Sequence, residues 1–264
     1  MEGAHRPIWF AGDLGDPWVA GIAGALPPGT RRLDCPADLP EAWPGDGPAP
    51  EVVVLHRATL HATDAQRVVR LRGRSEPPAR VILCVGPHAR AADIERWARL
   101  VDVILPEATA RETVAHHASG PETPPRPPGP RPRVAVVAAG FELRTTLAEA
   151  CRAGGYPAEP AVDWPDAAPG LVAIWDVPIL EAGWPEKLAR RARVAPVVAL
   201  LGFADRATVD LARAHGASAC LDLPCEVADL LNALDRVTSA RIAEPARVVP
   251  PPHLGKIHRT KAPR

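Results

Sequence analysis

The stretch LLGFADRATVDLARAHGASACLDLPCEVADLL, Leu200 to Leu231, carries one structural rhythm twice. Its first residues close the apolar run PVVALL (Pro196 to Leu201), which has strand length and no polar alternation, as expected of a strand buried on both faces. Asp205 stands where an N-cap belongs, and the helix it opens is predicted to stop at Gly216. SACLDL (Ser218 to Leu223) reads as a second strand. After it, Val227, Leu230, Leu231, Leu234 and Val237 fall at i, i+3, i+4, i+7 and i+10, the spacing of a core-facing helical stripe. Strands separated by helices pair in parallel, so this stretch belongs to a sheet with helices on both faces.

The same rhythm extends in both directions. RVAVVAA (Arg133 to Ala139) is a buried strand, and a helix follows with Leu143, Leu147, Ala150, Cys151 and Gly154 on one face, ended by Gly154-Gly155. LVAIWDV (Leu171 to Val177) is the next strand, and Pro185 opens a helix running through Ala192. In the first half, strands are predicted at Pro7 to Gly12, Arg32 to Cys35, Glu51 to Leu55, Arg80 to Val85 and Val101 to Leu105. Helices fall on the stripe Val19, Ile22, Ala23 and Leu26, then at Thr63 to Gly73, Ala91 to Leu100 and Glu107 to Ala118. Five prolines between Asp34 and Pro50 occupy the place of one helix, so a loop is expected there. The fold class is therefore α/β: two flavodoxin-like, doubly wound, five-stranded parallel-sheet domains in tandem.

Charge and proline mark the boundaries. The chain has 264 residues and zero formal net charge, but residues 1–120 carry −2, 121–133 carry +2, 134–240 carry −5 and 241–264 carry +5. Seven prolines in the fifteen residues Ser119 to Arg133 make an extended linker. The expected division is a first domain over 6–118, a linker over 119–133, a second domain over 133–240 and a basic, mobile tail over 241–264. No run of eighteen apolar residues exists, which excludes a helical membrane span. Met1 to Pro7 lacks the pattern of a secretory signal. Five cysteines, several in apolar runs, read as reduced thiols of a cytoplasmic chain.

On the helix ending in GGY (Gly154 to Tyr156), the aspartate of IWDV and the stretch 200–231, the second half resembles a receiver domain of two-component response regulators over about Arg133 to Ala240. The first half follows the pattern over about Arg6 to Ala118. The resemblance implies a phosphoacceptor aspartate after the third strand, two cation-binding acids after the first, a hydroxyl residue after the fourth and a lysine before a proline after the fifth. In the second half only Asp176, the acceptor candidate, matches. Ala138 and Ala139 replace the acids, Leu201 or Gly202 the hydroxyl and Leu223 the lysine before Pro224. In the first half Asp13 is a vestigial acidic-pocket candidate, and His56 stands at the acceptor position, expected in an exposed loop without a base or cation nearby. Val85 or Gly86 replaces the hydroxyl and Leu105, before Pro106, the lysine; no lysine precedes Lys187.

Other chemistry finds little support. There is no GxGxxG or GxxxxGK[ST] phosphate cradle, and GDLGD (Gly12 to Asp16) reads as a tight turn. Cys220, Cys225 and His215 lack metal-site spacing, and His116 and His117 are expected on different sides of their helix. No catalytic constellation, cofactor or metal is expected. Trp97 is assigned to the core, as Trp18, Trp164 and Trp184 are, with partner anchoring as their other reading.

The function expected is a non-catalytic pseudo-receiver pair that binds a protein partner without phosphoryl transfer. By the resemblance, its interface is the face of the fourth and fifth helices and the strand between them, with Asp205, Arg206, Asp210, Arg213, Glu226, Asp229 and Arg236 as candidates, and a homodimer through that face is included. Nucleic acid is left to weak contacts of the basic tail. The alternatives are an atypical response regulator phosphorylated on Asp176, and a two-domain enzyme or small-ligand binder whose interdomain cleft carries convergent basic groups.

Overall fold

The computed structural model describes residues 7–41, 49–73, 76–119, 131–164 and 170–243. The first sheet is built from β1 (Ile8–Gly12), β2 (Arg31–Asp34), β3 (Val52–Arg57), β4 (Arg80–Val85) and β5 (Val103–Pro106), with helices α1 (Pro17–Ala25), α2 (Ala62–Arg72), α3 (Ala91–Trp97) and α4 (Glu107–Ser119). The second holds β6 (Arg133–Val137), β7 (Ala158–Ala161), β8 (Leu171–Val177), β9 (Val197–Gly202) and β10 (Ala217–Leu223), with α5 (Phe141–Ala153), α6 (Trp184–Ala192), α7 (Arg206–Ala214) and α8 (Val227–Ala243). Strand order is β2-β1-β3-β4-β5 in one sheet and β10-β9-β8-β6-β7 in the other, and every pair is parallel. Each is the 2-1-3-4-5 order of a flavodoxin-like, receiver-like fold.

Burial on both faces explains the unbroken apolar strands. Along β3, Val53 and Leu55 pack with Trp97 and Val68, while Val52 and Val54 pack with Val19 and Ile22 on the opposite face. Along β8, Val172 and Ile174 face Leu234, while Ala173, Trp175 and Val177 face Leu188 and Val209. Trp97, 1% exposed, lies in its own domain's core as expected. All five cysteines are free; four are buried, and Cys225 is half-buried.

Several elements differ from the sequence reading. Strand β7 carries no sequence signal: AEPA has no apolar run, and as an edge strand it tolerates Pro160. Between β7 and β8 no described residue is helical. Val227, expected in the core stripe, is 53% exposed because α8 begins there, before the helix reaches the sheet. The same helix continues to Ala243, three residues into the segment assigned to the tail. The missing helix after β2 is indeed absent from the described residues 35–41. Polar side chains pin that loop instead: Leu39 N donates to Asp64 Oδ1 (2.9 Å), and Leu39 O accepts from Arg67 (2.7 Å). Most of the proline-rich linker (120–130) and the tail from residue 244 lie outside the described residues. No described helix is long and apolar enough to cross a membrane.

Candidate functional site

In a doubly wound sheet, ligands bind at the carboxyl ends of the strands, and both acceptor positions lie there. In the first domain Asp13 Oδ1 closes the turn by accepting from Gly15 N (3.0 Å), and Asp16 caps α1 by accepting from Trp18 N (2.8 Å). His56 lies within β3, 3% exposed, with Nε2 2.6 Å from Glu107 Oε2. Glu107 follows Pro106 as the first residue of α4. An ionised carboxylate only accepts, so the imidazole nitrogen donates.

The cation of this cluster comes from the second domain. Arg206, the first residue of α7, donates from Nε to Glu107 Oε1 (2.5 Å), from one terminal nitrogen to Glu107 Oε2 (2.9 Å) and from the other to Asp16 Oδ2 (2.8 Å). Its guanidinium also lies 5.6 Å from the Trp18 ring centroid, and the indole Nε1 donates to Glu107 O (3.1 Å). Bidentate pairing of this kind is directional as well as strong. A cavity of about 90 Å³ remains beside Asp13, Asp16 and His56. The hydroxyl position is closed by packing: a Cβ at Gly86 would sit 2.6 Å from Ala58 Cα and 3.2 Å from Glu107 Oε2.

Contrary to expectation, His56 is therefore buried, with a base and a cation beside it. The apolar run ends at Leu55, but pairing with β4 carries β3 two residues further, through His56 and Arg57. The carboxylate that completes the cluster and the guanidinium that balances it belong to residues 107 and 206, beyond any local pattern.

Burial pushes the Glu107 and Asp16 carboxyls up, but hydrogen bonds from His56 and Arg206 to Glu107, and from Arg206 and the α1 backbone to Asp16, outweigh it and hold both below their ordinary values. A carboxyl with a lowered folded-state pKa stabilises the fold above its ordinary pKa and loses that contribution as pH falls through the folded value. Glu107→Gln should therefore melt below the wild type at neutral pH, with the gap widest above 4.5, the ordinary value for Glu. Thermal melts should show that gap closing as pH falls below that value; a constant gap would contradict the assignment.

In the second domain Asp176 is half-buried near the end of β8, and its carboxylate makes no hydrogen bond or ion pair among the described residues. Burial pushes its carboxyl pKa up. Arg144 donates to Ala138 O (2.7 Å), and Lys187 pairs with Glu181 (3.5 Å). Asp13 and Asp176 belong to different sheets and form no common site.

The face of α7, β10 and α8, read as the partner surface, is covered by α4 of the first domain. Arg213 donates to Glu112 Oε1 (2.8 Å), Arg236 to Glu112 Oε2 (2.7 Å) and to the Glu112 carbonyl, and His117 Nε2 meets Asp229 Oδ1 at 3.0 Å. Four of the seven candidates, Arg206, Arg213, Asp229 and Arg236, thus bind the first domain. Asp205 caps α7 by accepting from Thr208 N (2.7 Å), and Asp210 and Glu226 are exposed. A homodimer through this face would require the domains to part. Trp18 is an anchor, but between the domains, with Arg206 and Arg213 over its ring; Trp184 is buried, and Trp164 stacks edge-on against Trp175.

Between the domains lies a cavity of about 670 Å³. Its ionisable lining is Asp102, His117, Asp222, Cys225, Glu226 and Asp229, without lysine or arginine, so the basic groups expected of an anion-binding cleft are missing. Among the described residues, the one grouping with metal-ligand spacing is His117, Glu226 and Asp229, whose ligand atoms lie within 4.8 Å of one another. Cys220, Cys225 and His215 do not converge. His117, 7% exposed, carries no sequence signal of a contact residue, and its ring meets that of the neighbouring His116 edge-on at 5.4 Å.

No family model matches the chain, and no curated protein does. Similar solved structures include a response regulator protein of Burkholderia pseudomallei with a phosphorylated aspartic acid, at 22% identity and a TM-score of 0.36 over 42% of this chain and 71% of that one. The chemotaxis protein CheY4 of Vibrio cholerae matches at 22% identity and a TM-score of 0.37, over 40% of this chain and 98% of that one. The C-terminal part of E. coli RcsC, with its linker region and phosphoreceiver domain, matches at 14% identity and a TM-score of 0.34, over 90% and 93%.

Proposed function

We propose that the chain is a phosphorylation-independent regulatory protein: two degenerate receiver-like domains, joined by side chains of the second that bind the first, which act by binding another protein. The supporting observation is the Arg206 fork. A receiver balances its acidic pocket with a divalent cation and a lysine and then places the phosphoryl group among them. Here a guanidinium bridges Asp16 and Glu107, and the acceptor position holds a histidine hydrogen-bonded to Glu107. An incoming phosphoryl group at His56 would have to displace its buried contact with Glu107. In the second domain a lone, half-buried Asp176 has neither the acids to recruit a cation nor a lysine to neutralise the product.

Incubating the full chain with a small-molecule phosphodonor and magnesium should leave its intact mass unchanged. An adduct of about 80 Da, the mass of one phosphoryl group, that is lost in Asp176→Asn would overturn this reading in favour of an atypical phosphorylated regulator.

A further inference from the structure

One group of side chains outside the Arg206 fork brings ligand-type atoms of both domains together. His117 lies near the end of α4, and Glu226 and Asp229 stand at the start of α8, with Asp229 N donating to Glu226 O (3.1 Å). Three residues apart in a first helical turn, the two carboxyls share one face. An imidazole nitrogen and one oxygen from each carboxyl lie within 4.8 Å of one another, and His117 and Asp229 are buried. His117 and Asp229 are 112 residues apart in the chain, so no local spacing announces the group.

Charge within the group does not balance. The His117–Asp229 contact of 3.0 Å satisfies one imidazole nitrogen and one carboxylate oxygen. Glu226 brings a second carboxylate beside it and has no side-chain hydrogen bond or ion pair among the described residues. Even a protonated imidazole leaves one negative charge over, and the amino-terminal end of α8 offsets only about half a charge. The other carboxylates of the interdomain cavity are already served: Asp102 by Arg72 (3.1 Å) and Val81 N (2.7 Å), Asp222 by Ala204 N (3.0 Å). Arg80 donates to the His117 carbonyl (2.8 Å) but does not line the cavity. The group therefore has the charge of a cation-binding site.

Its geometry selects the kind of cation. Nitrogen and oxygen ligands of a tetrahedral zinc ion lie about 2.0–2.2 Å from the metal and hence about 3.3 Å from each other. His117 Nε2 and Asp229 Oδ1 are at 3.0 Å. Bringing the third ligand in takes at most roughly 1.5 Å, within reach of side-chain rotation in the exposed Glu226. One imidazole with two carboxylates suits zinc and its neighbours in the first transition row, whereas magnesium prefers an octahedron of oxygens. All three residues line the cavity of about 670 Å³, so a fourth position is open to water there.

We infer that His117, Glu226 and Asp229 bind a zinc-type divalent ion that ties α4 of the first domain to α8 of the second. On binding, Nε2 exchanges its hydrogen bond with Asp229 for the metal, and the ring carries its proton on Nδ1. The inference goes beyond the regulatory reading and does not depend on it.

The test titrates zinc chloride into the full chain, first stripped with a chelator, in competition with a chromogenic zinc indicator. One saturable equivalent per chain is expected, and zinc at about a hundred times its Kd should raise the Tm by roughly 5–10 °C. Magnesium at the same concentration should not. Glu226→Gln removes one ligand at an exposed position, so the metal-free Tm should stay level while zinc binding weakens at least about tenfold. His117→Ala should weaken it as strongly, even where its metal-free Tm falls. Changing the tail histidines His253 and His258 to alanine should leave binding intact. Cobalt in place of zinc should show no thiolate band, because Cys225 lines the cavity but is not among the three ligands. Failure to saturate, an equal Tm rise with magnesium, or a zinc affinity unchanged in either Glu226→Gln or His117→Ala overturns the inference. Binding lost with the tail histidines, which shows an adventitious ion only, or a thiolate band lost in Cys225→Ser overturns it too. None of these outcomes bears on the phosphodonor experiment, so the metal site can fail while the regulatory reading stands.

Discussion

Arg206→Ala should lower the melting temperature by roughly 5–10 °C and loosen the two domains from each other. Glu107 is 3% exposed, and its carboxylate faces one cation from the second domain and one imidazole from its own. Removing one partner of a buried pair leaves a charge without compensation, at roughly 3–5 kcal/mol in closed sites. Arg206 is itself 34% exposed, and His56 remains, so about 2–3 kcal/mol is the reasonable share here. At about 2–4 °C per kcal/mol for a chain of this size, that gives the stated shift. Hydrogen exchange should rise in α1, α4 and the start of α7, where the fork makes its contacts. Arg206→Lys should fall between, since an ammonium keeps the charge but cannot reach Asp16 and both Glu107 oxygens in one plane. A melting temperature within a degree or so of wild type would show that the fork contributes little to holding the domains.

Asp64→Ala should destabilise the first domain by about 3–5 kcal/mol. Asp64 is fully buried and lies 3.2 Å from the Arg57 Nε, with Arg57 itself 4% exposed. Geometry makes this a charge contact rather than a hydrogen bond: Arg57 Nε and Asp64 Oδ2 have no hydrogen-bond partner, while another Arg57 nitrogen donates to Cys35 O at 2.9 Å. Burial pushes the Arg57 pKa down, and Asp64 opposes that shift. The alanine variant leaves a guanidinium inside the domain and also frees Leu39 N, unpinning the loop after β2. Replacing both partners with apolar residues, Arg57→Met with Asp64→Leu, should recover much of the loss, because it removes the desolvated charges together. Chemical denaturation of the two variants separates these effects. A loss below about 1 kcal/mol in the single variant would mean that Arg57 reaches water when its partner is removed.

Strands such as VVVL and PVVALL are legible in the sequence because a strand covered on both faces needs apolar residues at nearly every position. The N-cap at Asp205 and the halt near Gly216 (φ 95°) are legible because both act over a few residues. Strand β7 is not, since AEPA takes its place by hydrogen-bonding to β6 at an edge and buries almost nothing. The residue types that differ from the receiver pattern can be compared position by position in the sequence. The contacts made around those positions are not visible there. Glu107 looks like the ordinary acidic start of a helix, Arg206 like one cation on an expected partner face, and His56 like a loop residue.

The sequence by itself determined the fold class and the recurrence of alternating strands and helices in both halves. Those depend on local periodicity and on which residues are present at all. Only the tertiary structure decided that the expected partner face is covered by α4 and that Arg206 pairs with Asp16 and Glu107 of the first domain. Each of those facts joins residues far apart along the chain. Such contacts depend on distance in space, which is set by how the sheets and helices pack rather than by any spacing along the sequence.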